Sequence, residues 1–308
     1  MKNIALLTLG VALLYLATGC SKDGKYSPKE KINKVYSKTS TVVSHQEEGV
    51  WQVDTSITVG KHLAEQWYWD GSKLAAIAYY NAQGRVASTV RFNYDGSQLT
   101  RAYTDDRNYI TFSYDGRKAT AATEVVNGQR RALYQFSHDG SKISKIEIHF
   151  SSIAKGGERA AEAVGLNRTF WGLLMPCDAN VVQPSAGEIG TKSAQSIVVS
   201  LSWDGKNVSK ATVENGNVSY ATAYSYDDNH NPYQSFLYAL INGGETSPLS
   251  KNNVTSATIT NADGSQETTS YSYAYDGSWP IARGAGRRIT SGGYATTETE
   301  TLYFEYDD

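Results

Sequence analysis

An aromatic residue followed by Asp-Gly recurs along this chain, and each recurrence lies between runs that alternate apolar and polar residues. The copies are Trp69-Asp70-Gly71, Tyr94-Asp95-Gly96, Tyr114-Asp115-Gly116, His138-Asp139-Gly140, Trp203-Asp204-Gly205 and Tyr275-Asp276-Gly277, with degenerate forms at Tyr226-Asp227-Asp228 and Tyr306-Asp307-Asp308. Asp-Gly between alternating runs is the strongest short-range hairpin signal, because a type I′ turn needs positive φ at both central residues. Each intact copy therefore predicts one reversal of the chain. Neighbouring copies lie 25, 20 and 24 residues apart in the first block. That distance holds two strands and a second turn. The second turns are legible as "NAQG" at 81–84, "DDRN" at 105–108, "NGQ" at 127–129 and "NGN" at 215–217.

Period two runs through the intervening segments. Val86, Ser88, Val90, Phe92 and Tyr94 share one face, as do Ile197, Val199, Leu201 and Trp203, the tyrosines 271, 273 and 275, and Leu302, Phe304 and Tyr306. The opposite faces carry Ser, Thr and charge. The fold class this predicts is all-β: an antiparallel up-and-down meander of twelve to sixteen strands of about seven to nine residues, closed or flattened into a large β-barrel. So many strands cannot be filled by their own side chains alone, so a cavity, an inserted segment or flattening is expected. Two stretches break the pattern and read as short inserted helices: 156–176, with helix formers from Glu158 to Val164, and "NPYQSFLYALING", with Asn231 as N-cap and Pro232 at the first helical position.

The start of the chain is of another kind. "MKNIALLTLGVALLYLATGC" has Lys2, an apolar run from Ile4 to Leu16 too short to span a bilayer, and small residues ahead of Cys20. It reads as a signal peptide over 1–19. Residues 20–39, rich in lysine, read as a solvated tether, and 40–308 as a single barrel-like domain with an insertion near 151–195. With two cysteines in all, acylation of Cys20 leaves Cys177 without an intramolecular partner, and Cys177 reads as a small buried hydrophobe.

Leu16-Ala17-Thr18-Gly19-Cys20 resembles the lipobox of bacterial lipoproteins, which implies a diacylglyceryl and palmitoyl anchor on Cys20. The "YDGSQL" and "HDGSKI" segments resemble tyrosine-aspartate repeat proteins. Together with "YDDNHNPY", the lipobox and the aromatic-Asp-Gly strands are similar to a Bacteroidetes outer-membrane lipoprotein family of unknown function with a porin-like β fold. That resemblance implies an outer-membrane location, on the periplasmic face or the cell surface. It implies no catalytic residues.

The chemistry carried by the residues is sparse. A net charge of −2 argues against a nucleic-acid surface. Five histidines lack metal-ligand spacing, so neither metal nor cofactor is expected. Asp227, Asn229 and Asn231 alternate as at the start of a calcium loop, but Pro232 replaces the required glycine, and a turn is the reading preferred. "GAG" at 284–286 leads into Arg287 and Arg288 and reads as a loop. Glu124, Glu147 and Asp178 are the carboxylates available for glycoside hydrolysis, though their separation is not readable from sequence. Trp67, Trp69, Trp171 and Trp279 are the candidate ligand-stacking residues. The function expected is a non-enzymatic, monomeric binding or accessory module for a glycan, a peptide or a lipid-like ligand. A membrane pore and a structural part of a surface assembly are the alternatives.

Overall fold

The computed structural model describes residues 30–151, 196–215, 218–234, 249–291 and 293–307. Among them run sixteen strands: β1 (Ile32–Glu47), β2 (Val50–Asp70), β3 (Lys73–Tyr80), β4 (Val86–Asp95), β5 (Gln98–Tyr103), β6 (Tyr109–Asp115), β7 (Lys118–Val126), β8 (Gln129–Asp139), β9 (Lys142–Phe150), β10 (Ser196–Asp204), β11 (Asn207–Asn215), β12 (Val218–His230), β13 (Asn252–Asn261), β14 (Gln266–Asp276), β15 (Trp279–Ser291) and β16 (Tyr294–Tyr306). Each pairs antiparallel with its sequence neighbours, and β16 pairs with β1, so the meander closes into a barrel. The helix expected within 156–176, and the part after Gln234 of the one expected to start at Pro232, lie outside the described residues, as do Cys20, Trp171, Cys177 and Asp178. In the described part, Asn231 caps a turn instead: its Oδ1 accepts from the Tyr233 amide at 3.0 Å.

Because turns alternate between the two ends, all the aromatic-Asp-Gly hairpins fall at one end, here called the base, together with the start of β1 and the finish of β16, while Asp263-Gly264 turns at the other. Their geometry differs from the type I′ expectation. The aspartates still belong to the strands, pairing as Asp70 with Lys73, Asp95 with Gln98, and Asp276 with Trp279. The glycine comes first in a two-residue loop, with φ of 54 to 58° at Gly71, Gly96, Gly116, Gly140, Gly205 and Gly277. A glycine in that position belongs to the II′ family of hairpin turns. Positive φ at two successive residues occurs at the opposite end, in Glu48-Gly49 and Asn127-Gly128.

Each base hairpin also carries a β-bulge at the same place. The register slips by one between Asn93 and Tyr94, leaving Thr100 unopposed, and likewise between Ser113 and Tyr114, leaving Thr120. The hydroxyls of Thr100 and Thr120 donate to the carbonyls of Asn93 and Ser113 at 3.1 and 3.3 Å. A bulge adds twist and bends its strand, which is how a wide sheet is made to curve.

In six of the repeats the aromatic residue then ties its hairpin to the strand before it. The Tyr94 hydroxyl donates to the Leu74 carbonyl at 3.0 Å, Tyr114 to Leu99 at 2.8 Å, Tyr226 to Val208 at 2.6 Å and Tyr306 to Pro280 at 2.7 Å. The indoles of Trp69 and Trp203 do the same to Ile32 and Ile143, each at 2.8 Å. The repeat is thus a turn, a bulge and a staple written in one short motif. His138 takes the slot on β8, where burial, aided by the Lys118 charge, lowers its pKa.

Inside this base the barrel is packed with side chains. Leu74, Ile77, Leu99, Ala102, Ala132, Ile148 and Val199 are fully buried and belong to one continuous apolar cluster that runs round the wall. The connection after β12 contributes to it from below: Tyr233 packs on Trp67 and edge-on to Phe304 at 6.2 and 5.6 Å between ring centres. Outward rows are Arg91 and Asn93 on β4, Gln135 and Ser137 on β8, Ser200 and Ser202 on β10, and Thr258 and Thr260 on β13. Apolar side chains therefore line the lumen, and polar ones the outside.

Strand length departs from expectation. The shortest strand, β5, has 6 residues, but β1 has 16 and β2 has 21. β1 begins at Ile32, so residues 32–39, expected in the tether, are barrel wall: Ile32 and Val35 are buried among the core residues. The lysines interleaved there misled, because Lys34 and Lys38 fall on outward or exposed positions of a strand. β2 pairs with β3 only over Glu65–Asp70, so residues 50–64 rise above β3, on the order of 50 Å of extended chain. With β1, β15 and β16 they form a tall ribbon standing on one side of the rim.

Candidate functional site

Where the apolar packing ends and the ribbon begins, the lumen wall changes character. The inward row of β16 continues upward from Phe304 and Leu302 to Glu300 and Glu298, and the inward row of β15 runs through Arg283, Ala285 and Arg287. Arg287 stands directly opposite Glu298, and Arg283 diagonal to Glu300. Directly opposed and diagonal cross-strand pairs are the ones whose side chains can meet. The Arg287 Nε donates to Glu298 at 3.0 Å, and the Arg283 guanidinium to Glu300 at 2.9 Å. Ser37 on β1 adds a bond to the second oxygen of Glu300 at 3.3 Å.

Burial makes these pairs specific. The Arg283 side chain is 4% exposed and sits over the Tyr271 ring at 5.8 Å, while Arg287 is 11% exposed. A buried guanidinium without its carboxylate is strongly unfavourable, so charge neutrality is built in. Beside the pairs, Thr39, Thr41, Thr269, Ala285, Arg287, Glu298 and Glu300 line a cavity of about 330 Å³. That is at the small end of ligand pockets. Its wall offers hydroxyls and paired charges of both signs, which suits a polar, hydroxyl-bearing solute better than an acyl chain.

The residues proposed from sequence lie elsewhere. Trp67 and Trp69 do share a face, stacked at 6.2 Å, but Trp67 is 3% exposed within the core and Trp69 is a staple. Trp279 opens β15 at the base, 4.9 Å from the His230 ring and 6.0 Å from Tyr306. None of these three lines the cavity. Glu124 points inward, 4% exposed and accepting from the Tyr134 hydroxyl at 2.7 Å. Glu147 lies on the outward face of β9, held by Lys145 at 2.6 Å. The barrel wall separates those two carboxylates, so they cannot flank one glycosidic bond. Asp227 accepts from the amides of Asn229 and Asn253 and from the Tyr275 hydroxyl, the turn-type role rather than a cation loop. Among the described residues no cluster of three His, Cys, Asp or Glu could hold a metal ion.

The cavity residues were missed for one reason. "GAGRR" reads as a loop because glycine is poor in strands, yet 279–291 is strand β15. A signal for it was present: carrying the Tyr306, Phe304, Leu302 alternation two steps further reaches Glu300 and Glu298.

No family model matches this chain, and no curated protein matches it. Among solved structures it is similar to a porin-like protein from Bacteroides uniformis ATCC 8492, at 13% identity and a TM-score of 0.49, over 88% of this chain and 97% of that one. A porin-like protein from Bacteroides vulgatus ATCC 8482 is similar at 14% identity and a TM-score of 0.45, over 90% and 99%. Both scores lie below 0.5, and the barrel is described by its own strand pairing.

Proposed function

We propose that this chain is a cell-envelope lipoprotein acting as a non-catalytic binding module, fixed to the outer membrane through Cys20 and taking a small polar ligand, a glycan unit or a peptide, in the rim cavity. The observation that carries this reading is the polarity of the wall. A barrel that conducts through a bilayer is apolar outside and polar inside. Here the outward rows are mostly Ser, Thr, Asn, Gln and Arg, with Tyr68 and Ile281 the exposed apolar exceptions nearest the base, and the lumen there is filled with Leu, Ile, Val and Phe. Strand length, which alone would leave a pore open as a reading, is outweighed by that reversal. The start of β1 at the base supports a tether entering there, with the cavity end turned away from the lipid. Both carboxylates of the cavity are held by guanidinium groups, which favours recognition over acid-base chemistry.

The experiment is ligand binding by the chain from residue 20 onward, with Cys20→Ser, in detergent-free buffer against glycan and peptide arrays. A hit should lose about tenfold or more in affinity in Arg287→Met, a paired charge facing the cavity, and little in Trp279→Ala. Precipitation rescued only by detergent would sink the module in favour of a pore. A soluble protein silent on every array would leave a spacer in a surface assembly.

A further inference from the structure

The rim cavity carries its two signs of charge at different depths. The arginine side chains are set into the wall, 4% exposed at Arg283 and 11% at Arg287, while the carboxylates paired with them reach the surface, 29% exposed at Glu300 and 41% at Glu298. A solute entering the cavity therefore meets carboxylate oxygens before guanidinium groups. The two carboxylates also differ. Glu300 is held through both oxygens, one by Arg283 and one by Ser37. Glu298 is held through Oε2 alone, and among the described residues its Oε1 accepts no hydrogen bond. Because the Arg287 guanidinium fixes the carboxylate, that second oxygen is presented in a set place, which spares a ligand the cost of ordering it. Across the β1–β16 pair, Thr41 stands directly opposite Glu298, and Thr39 opposite Glu300. Directly opposed side chains lie about 5 Å apart. Neither threonine hydroxyl is hydrogen-bonded among the described residues.

We infer, on the reading of the cavity as a ligand site, that its ligand is a primary ammonium carried on a small polyol, the chemistry of an amino sugar with a free amine. An ammonium has three donors and no acceptor. One donor meets Glu298 Oε1 in a charge-assisted bond, and the other two meet the hydroxyls of Thr41 and Thr39. A neutral sugar hydroxyl reaches the same oxygen without the charge. An anionic solute is turned away: Arg287 is the only cation on the lining, is mostly buried, and is already bonded to Glu298. Discrimination of this kind needs the repulsive carboxylate as much as the attractive one. A peptide amino terminus bears the same ammonium, but the threonine hydroxyls beside it, which donate as well as accept, match the hydroxyls of a sugar ring better.

The test is titration of the chain from residue 20 onward, with Cys20→Ser, against glucosamine, glucose, N-acetylglucosamine and glucuronate, followed by ligand-observed NMR. Glucosamine should bind about tenfold or more tightly than glucose or N-acetylglucosamine, and glucuronate most weakly. Glu298→Gln keeps an acceptor and removes the charge, and should bring glucosamine to within about twofold of glucose. Thr41→Val leaves both ion pairs in place and should weaken glucosamine about threefold or more. Equal affinity of the native chain for glucosamine and glucose overturns the inference while leaving the cavity a binding site, as does glucuronate binding as well as glucosamine. A cavity hit confined to peptides, or to glycans without a free amine, overturns it equally. Silence toward every sugar and peptide overturns the binding reading beneath it as well.

Discussion

The base and the ribbon are built from the same strands and obey opposite rules. At the base most hairpins are specified several times over, by a glycine turn, a bulge and an aromatic staple, and the enclosed side chains are buried. In the ribbon β1, β2, β15 and β16 continue past the last aromatic staple, with bulges between β1 and β2 and with threonines and paired charges inside. A sheet needs its repeat only where it must curve and close. Where the repeat stops, the same chain is free to present surfaces, and stability and recognition are therefore expected to separate along the height of the barrel.

The largest test of that separation compares one buried leucine with one exposed isoleucine. Leu99 is 0% exposed at the base, and Leu99→Ala should cost about 3 kcal/mol of unfolding free energy from lost burial plus the cavity left behind. Ile57→Ala in the ribbon should change it by less than about 0.5 kcal/mol. Urea titration of both variants gives the two numbers directly, and equal losses would erase the distinction between the ends.

Alkaline pH should come next in size. Burial, first among the causes, raises the phenol pKa of Tyr79, Tyr94, Tyr134, Tyr220, Tyr275 and Tyr306 above the ordinary value, with neighbouring Glu65, Glu124 and Asp227 adding to the effect at Tyr79, Tyr134 and Tyr275. These groups stay neutral in the fold, while the unfolded chain ionises at about pH 10. Their contribution is complete below that pH and is lost as pH rises toward the folded values. The melting temperature should hold between about pH 7 and 9 and fall steeply above about 10. A flat profile to pH 12 would mean the phenols are reached by solvent.

Glycine substitution separates the ends by sign. Gly96 has φ of +55°, a backbone region that a side chain enters at about 1–2 kcal/mol, so Gly96→Ala should destabilise by that amount. Gly60 in the ribbon is not in that region and has nothing within 4 Å of an added methyl group. Gly60→Ala should be neutral or stabilise by up to about 1 kcal/mol through the unfolded chain. Thermal melts of the pair should move in opposite directions.

These contrasts also explain which parts were legible in the sequence. Alternation in "VASTVRFNY" and "SIVVSLSW" assigns the inward faces correctly, because burial of one face leaves a period-two record. The up-and-down order of the strands follows from the spacing of the turns, and the sixteen found stand at the top of the twelve to sixteen that this spacing allows. The turn type does not: Asp-Gly is compatible with both hairpin families, and only the bulge after it decides that glycine comes first. The height of β2 was hidden because its upper half is exposed on both faces, so no burial pattern marks it. The cavity was hidden for a related reason, since a polar inward row at Glu298, Glu300 and Arg287 looks like an outward one until the strand's other residues fix the face.

The choice of aromatic in the repeat sharpens the comparison most finely. The six bonded slots hold Trp69, Tyr94, Tyr114, Trp203, Tyr226 and Tyr306, and never phenylalanine, although Phe92, Phe112 and Phe304 occupy inward positions two residues before such a slot. Packing alone would accept phenylalanine in both places. The donor is what the slot requires, because it satisfies a carbonyl of the preceding hairpin that the bulged register leaves available. Tyr94→Phe keeps the ring and removes only the donor to Leu74, and should cost about 1 kcal/mol. Tyr303→Phe on the outward face beside Lys61 should cost nothing measurable by the same melt. An equal, small effect at both would reduce the repeat to turn and packing, and a loss confined to Tyr94 would make the hydroxyl the reason the motif is written with tyrosine.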